Sequence, residues 1–264
     1  MPFDAGLADL LAVLSGGIVG LTLAVVGGGG SILAVPLLLY VVGVANPHVA
    51  IGTSALAVSA NAFANLIAHL RAGNVRWPCA IVFGLSGVAG ALAGAALGKL
   101  VDGQRLLFLF GLVMVVVALA MLRPRQSQGD PDVRITSAIA IRLVGIGLLT
   151  GLLAGFFGIG GGFLIVPGIM LGSGMAMLNA IGSSLFSVGA FGLTTAISYA
   201  WDGLVDWRIA AEFIAGGIAG GIGGIAVAQR LSLRKGLLNS VFATLVLAVA
   251  TYVLWRSSSA IFAW

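Results

Sequence analysis

Three polar side chains recur on one face of an otherwise apolar stretch, residues 49–70. On a helical wheel, Ser54, Asn61 and Asn65 fall within roughly 20° of one line, and His69 lies nearby. Hydroxyl and amide groups exchange hydrogen bonds with small polar solutes. Because such groups are costly inside an apolar environment, they tend to face the interior of a helix bundle or an aqueous path. The stripe predicts either part of a substrate path or hydrogen bonds between helices.

A second apolar stretch, residues 176–199, carries a related stripe. Ser184, Thr195 and Ser198 occupy the corresponding face, and Phe191 stands where Asn61 would be. The short motifs "IGTS" and "IGSS" add Thr53 and Ser183, directly before the first serine of each stripe. The residues that we expect to bind substrate from these two stretches are Thr53, Ser54, Asn61, Asn65, Ser183, Ser184 and Thr195.

Two glycine-rich segments have the same layout. "GGGGSILAVP" begins at Gly27 and "GIGGGFLIVP" begins at Gly158, with a proline at the end of each. Glycine adopts torsions that break a helix, and a helix that restarts after the break presents free N–H groups and a partial positive charge to an anion. The alternative is that these glycines only let helices pack closely. The further substrate-binding candidates are therefore Gly29, Gly30, Ser31, Gly160 and Gly161.

Composition indicates which solvent surrounds these elements. Hydrophobic residues make up 60% of the 264 residues, charged residues only 8%, and the mean hydropathy is +1.16. Soluble domains carry about a quarter charged residues, so the chain is expected in a bilayer, with apolar helices of about 17 to 25 residues. The net charge of +5 is expected to set orientation in the membrane and not to bind nucleic acid.

The apolar runs are arranged as an internal duplication. Residues 51–77 match residues 181–207 at 9 of 27 positions, where this composition alone would give about 3. We therefore expect an all-α polytopic membrane protein with two repeats of about five helical elements each, including broken or short helices. The repeats are 1–122 and 139–264, joined by a cytoplasmic linker, 123–138. The total number of full crossings is 8 to 10, depending on whether the short elements cross.

Charge patterning favours an inverted relation between the repeats. Five elements per repeat, an odd number, would place nine of the thirteen basic residues on the cytoplasmic side, whereas four elements would split them eight to five. The matching loops "RAGNVRW" and "WDGLVDW" also have opposite charge. Inverted repeats are typical of secondary transporters, whose substrate binds near the midplane at the repeat interface.

The order and duplication of these motifs resemble the TauE/SafE family, also called the sulfite exporter or TSUP family. The likeness covers about Leu10 to Leu254. It implies a multi-pass plasma-membrane transporter, in a bacterial or archaeal inner membrane, of small sulfur-containing anions such as sulfite, sulfoacetate or related organosulfonates. Ser31 stands where the second motif has Gly162, so the two breaks need not be equivalent.

The remaining features are assigned as follows. The four-residue glycine spacing at 90–98 and 216–224 is typical of close helix packing. Glu212 is a possible carrier of a coupling proton, or it pairs with Arg208 four residues earlier. His69 is expected at the membrane interface.

Other functional classes are less well supported. No arrangement of residues supports a hydrolase or a metal site, so no enzyme, cofactor or metal is expected. A passive anion channel remains the alternative to a transporter. The expected partners are a small anionic substrate, the lipid bilayer, and a proton or sodium ion as a possible coupling ion; the oligomeric state is left open.

Overall fold

The computed structural model describes residues 5–122, 129–130, 133–158, 162–232 and 237–262. Within these ranges the regular structure is helical, which confirms the all-α prediction. The α-helices are α1 (Ala5–Val26), α2 (Ala34–Leu37), α3 (Pro47–Arg71), α4 (Trp77–Gly98), α5 (Gly103–Leu122), α6 (Ser137–Phe157), α7 (Gly162–Ser173), α8 (Met177–Trp201), α9 (Trp207–Ser232) and α10 (Leu237–Phe262).

Five helices in the described ranges are long and apolar enough to cross a membrane. They cover Gly6–Val26, Pro47–Arg71, Trp77–Gly98, Ser137–Phe157 and Met177–Trp201. In α3 and α8, 72% of the most apolar window is buried, against 33% in α6. These two helices therefore form the centre of the bundle, and the polar stripes predicted from the sequence lie on them.

Helix starts are fixed by residues that satisfy free backbone N–H groups. The Asn46 side chain accepts from the N–H of His48 before α3, and Pro47 occupies the first turn, where no N–H partner is needed. Asp102 and Asp206 accept N–H groups in the first turns of α5 and α9. Each cap ends a loop and sets the point from which the next long helix starts.

Both glycine-rich segments break a helix at the same position of the repeat. Gly27 follows α1 with φ +66°, and Gly158 follows α6 with φ +67°, a region that side chains other than glycine rarely adopt. After Gly27 the chain forms a 3₁₀ helix (Gly27–Leu33), α2, and a π-helical turn (Leu38–Val42). These tight and wide turns replace a regular helix, so the predicted broken and short elements are present.

Contacts between the two halves fix the direction of the helices. A Cβ atom added to Gly20 would lie 1.9 Å from the Gly217 carbonyl oxygen, and one added to Gly151 would lie 1.9 Å from that of Gly87. The registers of these contacts show that α1 runs parallel to α9 and that α6 runs parallel to α4. The predicted close packing along the small residues of α4 and α9 is therefore observed.

The central pair, α3 and α8, runs antiparallel. Gly52 at the start of α3 lies against Tyr199 at the end of α8, whereas Phe63, further along α3, lies against Gly189. Asn65 contacts Gly20 and His69 contacts Ala24, so α3 runs parallel to α1, and the chain between them must run back in the opposite direction. The inverted relation of the two repeats stays a prediction, and these helix directions favour it.

Candidate functional site

Each half contacts the long central helix of the other half through one loop. The N–H of Arg76 donates to Ser183 Oγ at 2.8 Å, and the N–H of Asp206 donates to Thr53 Oγ1 at 2.9 Å. These two bonds join equivalent positions of the repeat. We call the end of the molecule with loop 72–76 the basic end, and the end with loop 202–206 the acidic end. Predicted site residues thus hold the two halves together at both ends.

The two glycine breaks lie in the same way against the opposite half. A Cβ added to Gly27 would lie 2.9 Å from Ser184 Oγ and 3.1 Å from Ile181 Cα. One added to Gly158 would lie 2.0 Å from Ile51 Cγ2 and 3.6 Å from Tyr199 Oη. Each break therefore leaves no room for a side chain beside the central helix of the other half.

The first serines of the two stripes are buried and bonded to their own helices. Ser54 Oγ donates to the Ile51 carbonyl at 2.9 Å, and Ser184 Oγ donates to the Ile181 carbonyl at 2.7 Å. Bonds of this kind satisfy the hydroxyl proton within the helix. These serines do not contact each other in the structure, because they lie at opposite ends of the antiparallel pair.

The predicted site residues are consequently divided between two ends. Ser184 and Tyr199, which mark the two breaks on α8, are 15 positions apart, about 22 Å along a helix axis. The two breaks are therefore too far apart for one small ligand to contact both. Gly29 and Gly30 lie in the 3₁₀ helix, Ser31 is fully buried, and Gly160 and Gly161 lie outside the described residues.

The polar stripe on α3 faces α1 and α9, as its periodicity predicts for a buried face. His69 Nε2 lies 3.0 Å from the Ala24 carbonyl, and Asn65 Nδ2 donates to Asn61 O at 3.0 Å and to Gly20 O at 3.4 Å. His69 is fully buried. The expectation that it lies at the membrane interface is therefore wrong. Asn61 lies almost three turns before the C-terminal end of α3 at Arg71.

Asn61 differs from the other members of this stripe. It is fully buried at the middle of α3, and neither its amide nitrogen nor its amide oxygen has a hydrogen-bond partner. The amide lies on bare backbone, because a Cβ added to Gly217 would be 1.9 Å from Asn61 Nδ2. A buried unpaired amide is expensive, so Asn61 is the residue of the stripe that a polar ligand would complete.

The equivalent place in the second half is apolar. The Phe191 ring covers Gly87 and stacks on Phe83 with ring centroids 6.3 Å apart. Thr195 Oγ1 is buried without a partner one turn further along α8. The two halves thus have the same backbone arrangement, with an amide on one side and an aromatic ring on the other.

Glu212 lies near the acidic end. Its Oε1 accepts from Arg208 Nε at 3.3 Å, and Arg208 also pairs with Asp9 on α1. The second carboxylate oxygen, Oε2, is buried without a partner. In the described part of the chain, His, Cys, Asp and Glu side chains form no group of three that could hold a metal ion.

Sequence reasoning missed two polar groups, Tyr199 and His48. Tyr199 Oη and His48 Nδ1 are both buried without a partner. Tyr199 continues the stripe of Thr195 by four residues, and the repeat aligns it with His69. That alignment could have identified Tyr199, but an aromatic residue in an apolar helix is more often part of the core.

Comparisons with known proteins agree with this architecture. The family model described as "Sulfite exporter TauE/SafE" matches residues 12–253. A "Probable membrane transporter protein" of Xylella fastidiosa (strain 9a5c) is 56% identical over 249 residues, which cover 94% of this chain and 95% of the relative.

A more distant relative gives the same description. The "Probable membrane transporter protein YunE" of Bacillus subtilis is 27% identical over 246 residues, covering 85% of this chain and 90% of the relative. No solved structure matches the chain.

The match over almost the whole chain, together with five helices able to cross a bilayer, indicates a multi-pass protein of the plasma membrane. The chain belongs to the sulfite exporter TauE/SafE family, a family of membrane transporters.

Proposed function

We propose that the chain is a secondary transporter that carries a small sulfur-containing anion, such as sulfite, sulfoacetate or another organosulfonate, across the plasma membrane. The observation that carries this proposal is the Asn61 amide, buried without a partner at the middle of α3. Leaving such a group unpaired costs about 1–3 kcal/mol. A ligand that bonds to the amide recovers that free energy. Ligand binding would therefore explain why this position is an asparagine in the first repeat and a phenylalanine, Phe191, in the second.

The chemistry of the amide suits an oxyanion. Its –NH₂ group supplies two donors, and it carries no charge of its own to be desolvated. A sulfite or sulfonate group presents several acceptor oxygens. The name of the family supports sulfur as the central atom of the anion. Asn61 is thus assigned the contact to the anion halfway across the membrane.

The glycine breaks are proposed as anion-binding sites on either side of Asn61. Gly29, Gly30 and Ser31 would serve the basic end, and Gly160 and Gly161 the acidic end, where α7 begins at Gly162. Backbone N–H groups at such breaks attract anions. Asn61 aligns with Phe191, which lies about midway on α8 between Ser184 and Tyr199. The anion would pass from one break to the other by way of Asn61.

Alternating access needs contacts that close each end in turn. The bonds Arg76–Ser183 and Asp206–Thr53, both formed in the described fold, are the contacts to which we assign the closing of the basic end and of the acidic end. A transporter would open one of them at a time. A passive channel would instead need both contacts open at once.

Coupling to an ion gradient is part of the proposal. A proton or a sodium ion would drive the anion, and Glu212 on α9 is the acidic residue that could carry the proton. Its pairing with Arg208 favours a structural role as well. Transport measured with a proton gradient, a sodium gradient or neither identifies the coupling ion, and Glu212→Gln then tests the carboxylate.

The test uses the purified full chain in proteoliposomes, with ³⁵S-labelled sulfite as the probe. Wild type is compared with Asn61→Leu, Asn61→Ser and Phe191→Leu, the last being the matched change at the equivalent position. We expect Asn61→Leu to abolish uptake, Asn61→Ser to retain part of it, and Phe191→Leu to retain most of it. Unchanged uptake by folded Asn61→Leu would show that the stripe only joins helices. Uptake that ignores every gradient and shows no exchange with internal anion would indicate a channel.

A further inference from the structure

We infer that a small oxyanion also binds at the acidic end of the molecule, between Tyr199 Oη and His48 Nδ1 and below the ammonium group of Lys99. This inference rests on the proposed function, because the anion is of the class that the chain carries. It adds three residues that are not among the site residues predicted from the sequence. We call these three residues the Tyr199 site.

Tyr199 is the centre of the site. It lies on the last turn of α8, it is fully buried, and its hydroxyl has no hydrogen-bond partner. The hydroxyl lies near the second glycine break, 3.6 Å from the position that a Cβ atom on Gly158 would take. Buried tyrosine hydroxyls usually have a partner, so this one indicates a ligand or a water molecule at the break.

His48 adds a second polar atom from another helix. Its ring lies on the first turn of α3 with its centroid 6.2 Å from that of Tyr199, and Nδ1 is buried without a partner. Nε2 lies 3.7 Å from the position of a Cβ on Gly103, the first residue of α5. The imidazole therefore lies beside the first residue of α5.

Lys99 supplies the positive charge. Its Nζ lies 5.9 Å from the centroid of the Tyr199 ring, donates to the Ser198 carbonyl at 3.3 Å, and pairs with Asp202. The Asp202 side chain is half exposed and the Lys99 side chain is about a quarter exposed. An arriving oxyanion can therefore replace Asp202 as the partner of the ammonium group, and the Asp202 carboxylate is then solvated by water.

The other charged groups at this end also bear on the site. Asp102 is engaged with the N–H groups of Gln104 and Arg105, and Asp206 caps α9. These carboxylates are thus held by backbone donors, and only Asp202 competes directly for Lys99 among the contacts described. The competition makes binding at this site sensitive to the charge of residue 202.

The equivalent place at the basic end is already satisfied. His69 stands where the second half has Tyr199, and its two ring nitrogens lie near Ala24 O and Asn74 Nδ2. The repeat therefore provides an internal comparison in which one copy has partners from the protein and the other has none. The unpaired groups at the acidic end are not a consequence of the shared backbone, which supports a ligand there.

The experiment measures binding of sodium sulfite and sodium sulfate by calorimetry to the purified full chain in detergent, alongside the melting temperature. Tyr199→Phe keeps the ring and removes the hydroxyl alone. We expect it to weaken anion affinity at least fivefold without lowering the melting temperature. Tyr252→Phe is the matched control, since Tyr252 packs edge-on against Tyr40 and is not part of the Tyr199 site, and it should bind as wild type does.

Two further variants give results of opposite sign. Lys99→Gln should weaken the affinity, and Asp202→Asn should strengthen it, because the competing carboxylate is gone. A purely structural ion pair predicts no gain in the second variant. Wild-type affinity in Tyr199→Phe, with unchanged affinity in Asp202→Asn, would overturn the Tyr199 site while leaving the proposed transporter intact. A wild-type protein that neither binds nor transports these anions would overturn both.

Discussion

The amide of Asn61 rests directly on the backbone of Gly217. A Cβ atom at residue 217 would lie 1.9 Å from Asn61 Nδ2 and 2.5 Å from Asn61 Oδ1. Contacts this short are sterically forbidden, so any side chain at residue 217 would force the Asn61 amide to move. The polar centre of the bundle thus depends on a residue in the other half of the chain.

Gly217→Ala is expected to displace the Asn61 amide and to abolish sulfite uptake, with a lower melting temperature because a tightly packed helix pair must move apart. Gly223→Ala on the same helix is the control, since nothing lies within 4 Å of a Cβ there. That change should keep uptake and leave stability equal or higher, because alanine favours a helix by about 0.5–1 kcal/mol over glycine. Normal uptake in Gly217→Ala would contradict a role for the Asn61 amide.

Alanine substitutions at Gly27 and Gly73 distinguish the stability cost of backbone strain from the cost of a steric clash. Both have a positive φ, +66° and +72°, so alanine at either costs about 1–2 kcal/mol in torsional strain. Only Gly27 also meets neighbours, with Ser184 Oγ at 2.9 Å, whereas nothing lies near Gly73. Thermal unfolding should show a clearly larger loss for Gly27→Ala than for Gly73→Ala. Equal losses would mean that the break does not press on α8.

Gly30 tests whether the first break binds the anion. Gly30→Val restricts the torsions of the 3₁₀ helix and places methyl groups where an anion would approach the backbone. We expect a loss of at least tenfold in anion affinity, about 1.4 kcal/mol. Affinity and melting temperature are measured on the same purified protein. Lower stability with intact affinity would identify Gly30 as a packing residue only.

Gly73 and Gly203 test the inverted topology. They are equivalent exposed loop positions with φ +72° and +71°, and a Cβ at either meets nothing within 4 Å, so cysteine perturbs both equally. In a Cys79→Ala background, an impermeant thiol reagent added to intact cells should label Gly203→Cys only. Labelling of Gly73→Cys should require permeabilised cells. Equal labelling of both from outside would contradict opposite faces.

Much of the architecture follows from local sequence. The helices are encoded by apolar runs and capping residues, and the breaks are encoded by Gly27 and Gly158, whose torsions other residues rarely adopt. The polar face of α3 follows from the spacing of Asn61, Asn65 and His69. These features depend on neighbours a few residues apart, so periodicity and residue type are enough to predict them.

Other features depend on which helices meet. The sequence placed Ser54 and Ser184 together as equivalents, but α3 and α8 cross antiparallel, so equivalent residues lie at opposite ends. It also gave no reason to single out Tyr199, because whether a hydroxyl has a partner depends on residues far away in the chain. The sequence by itself determined the membrane class, the duplication, the breaks and the polar stripe. The tertiary structure alone decided that Asn61 and Tyr199 are buried without partners, because burial and hydrogen bonding arise from contacts between the two halves.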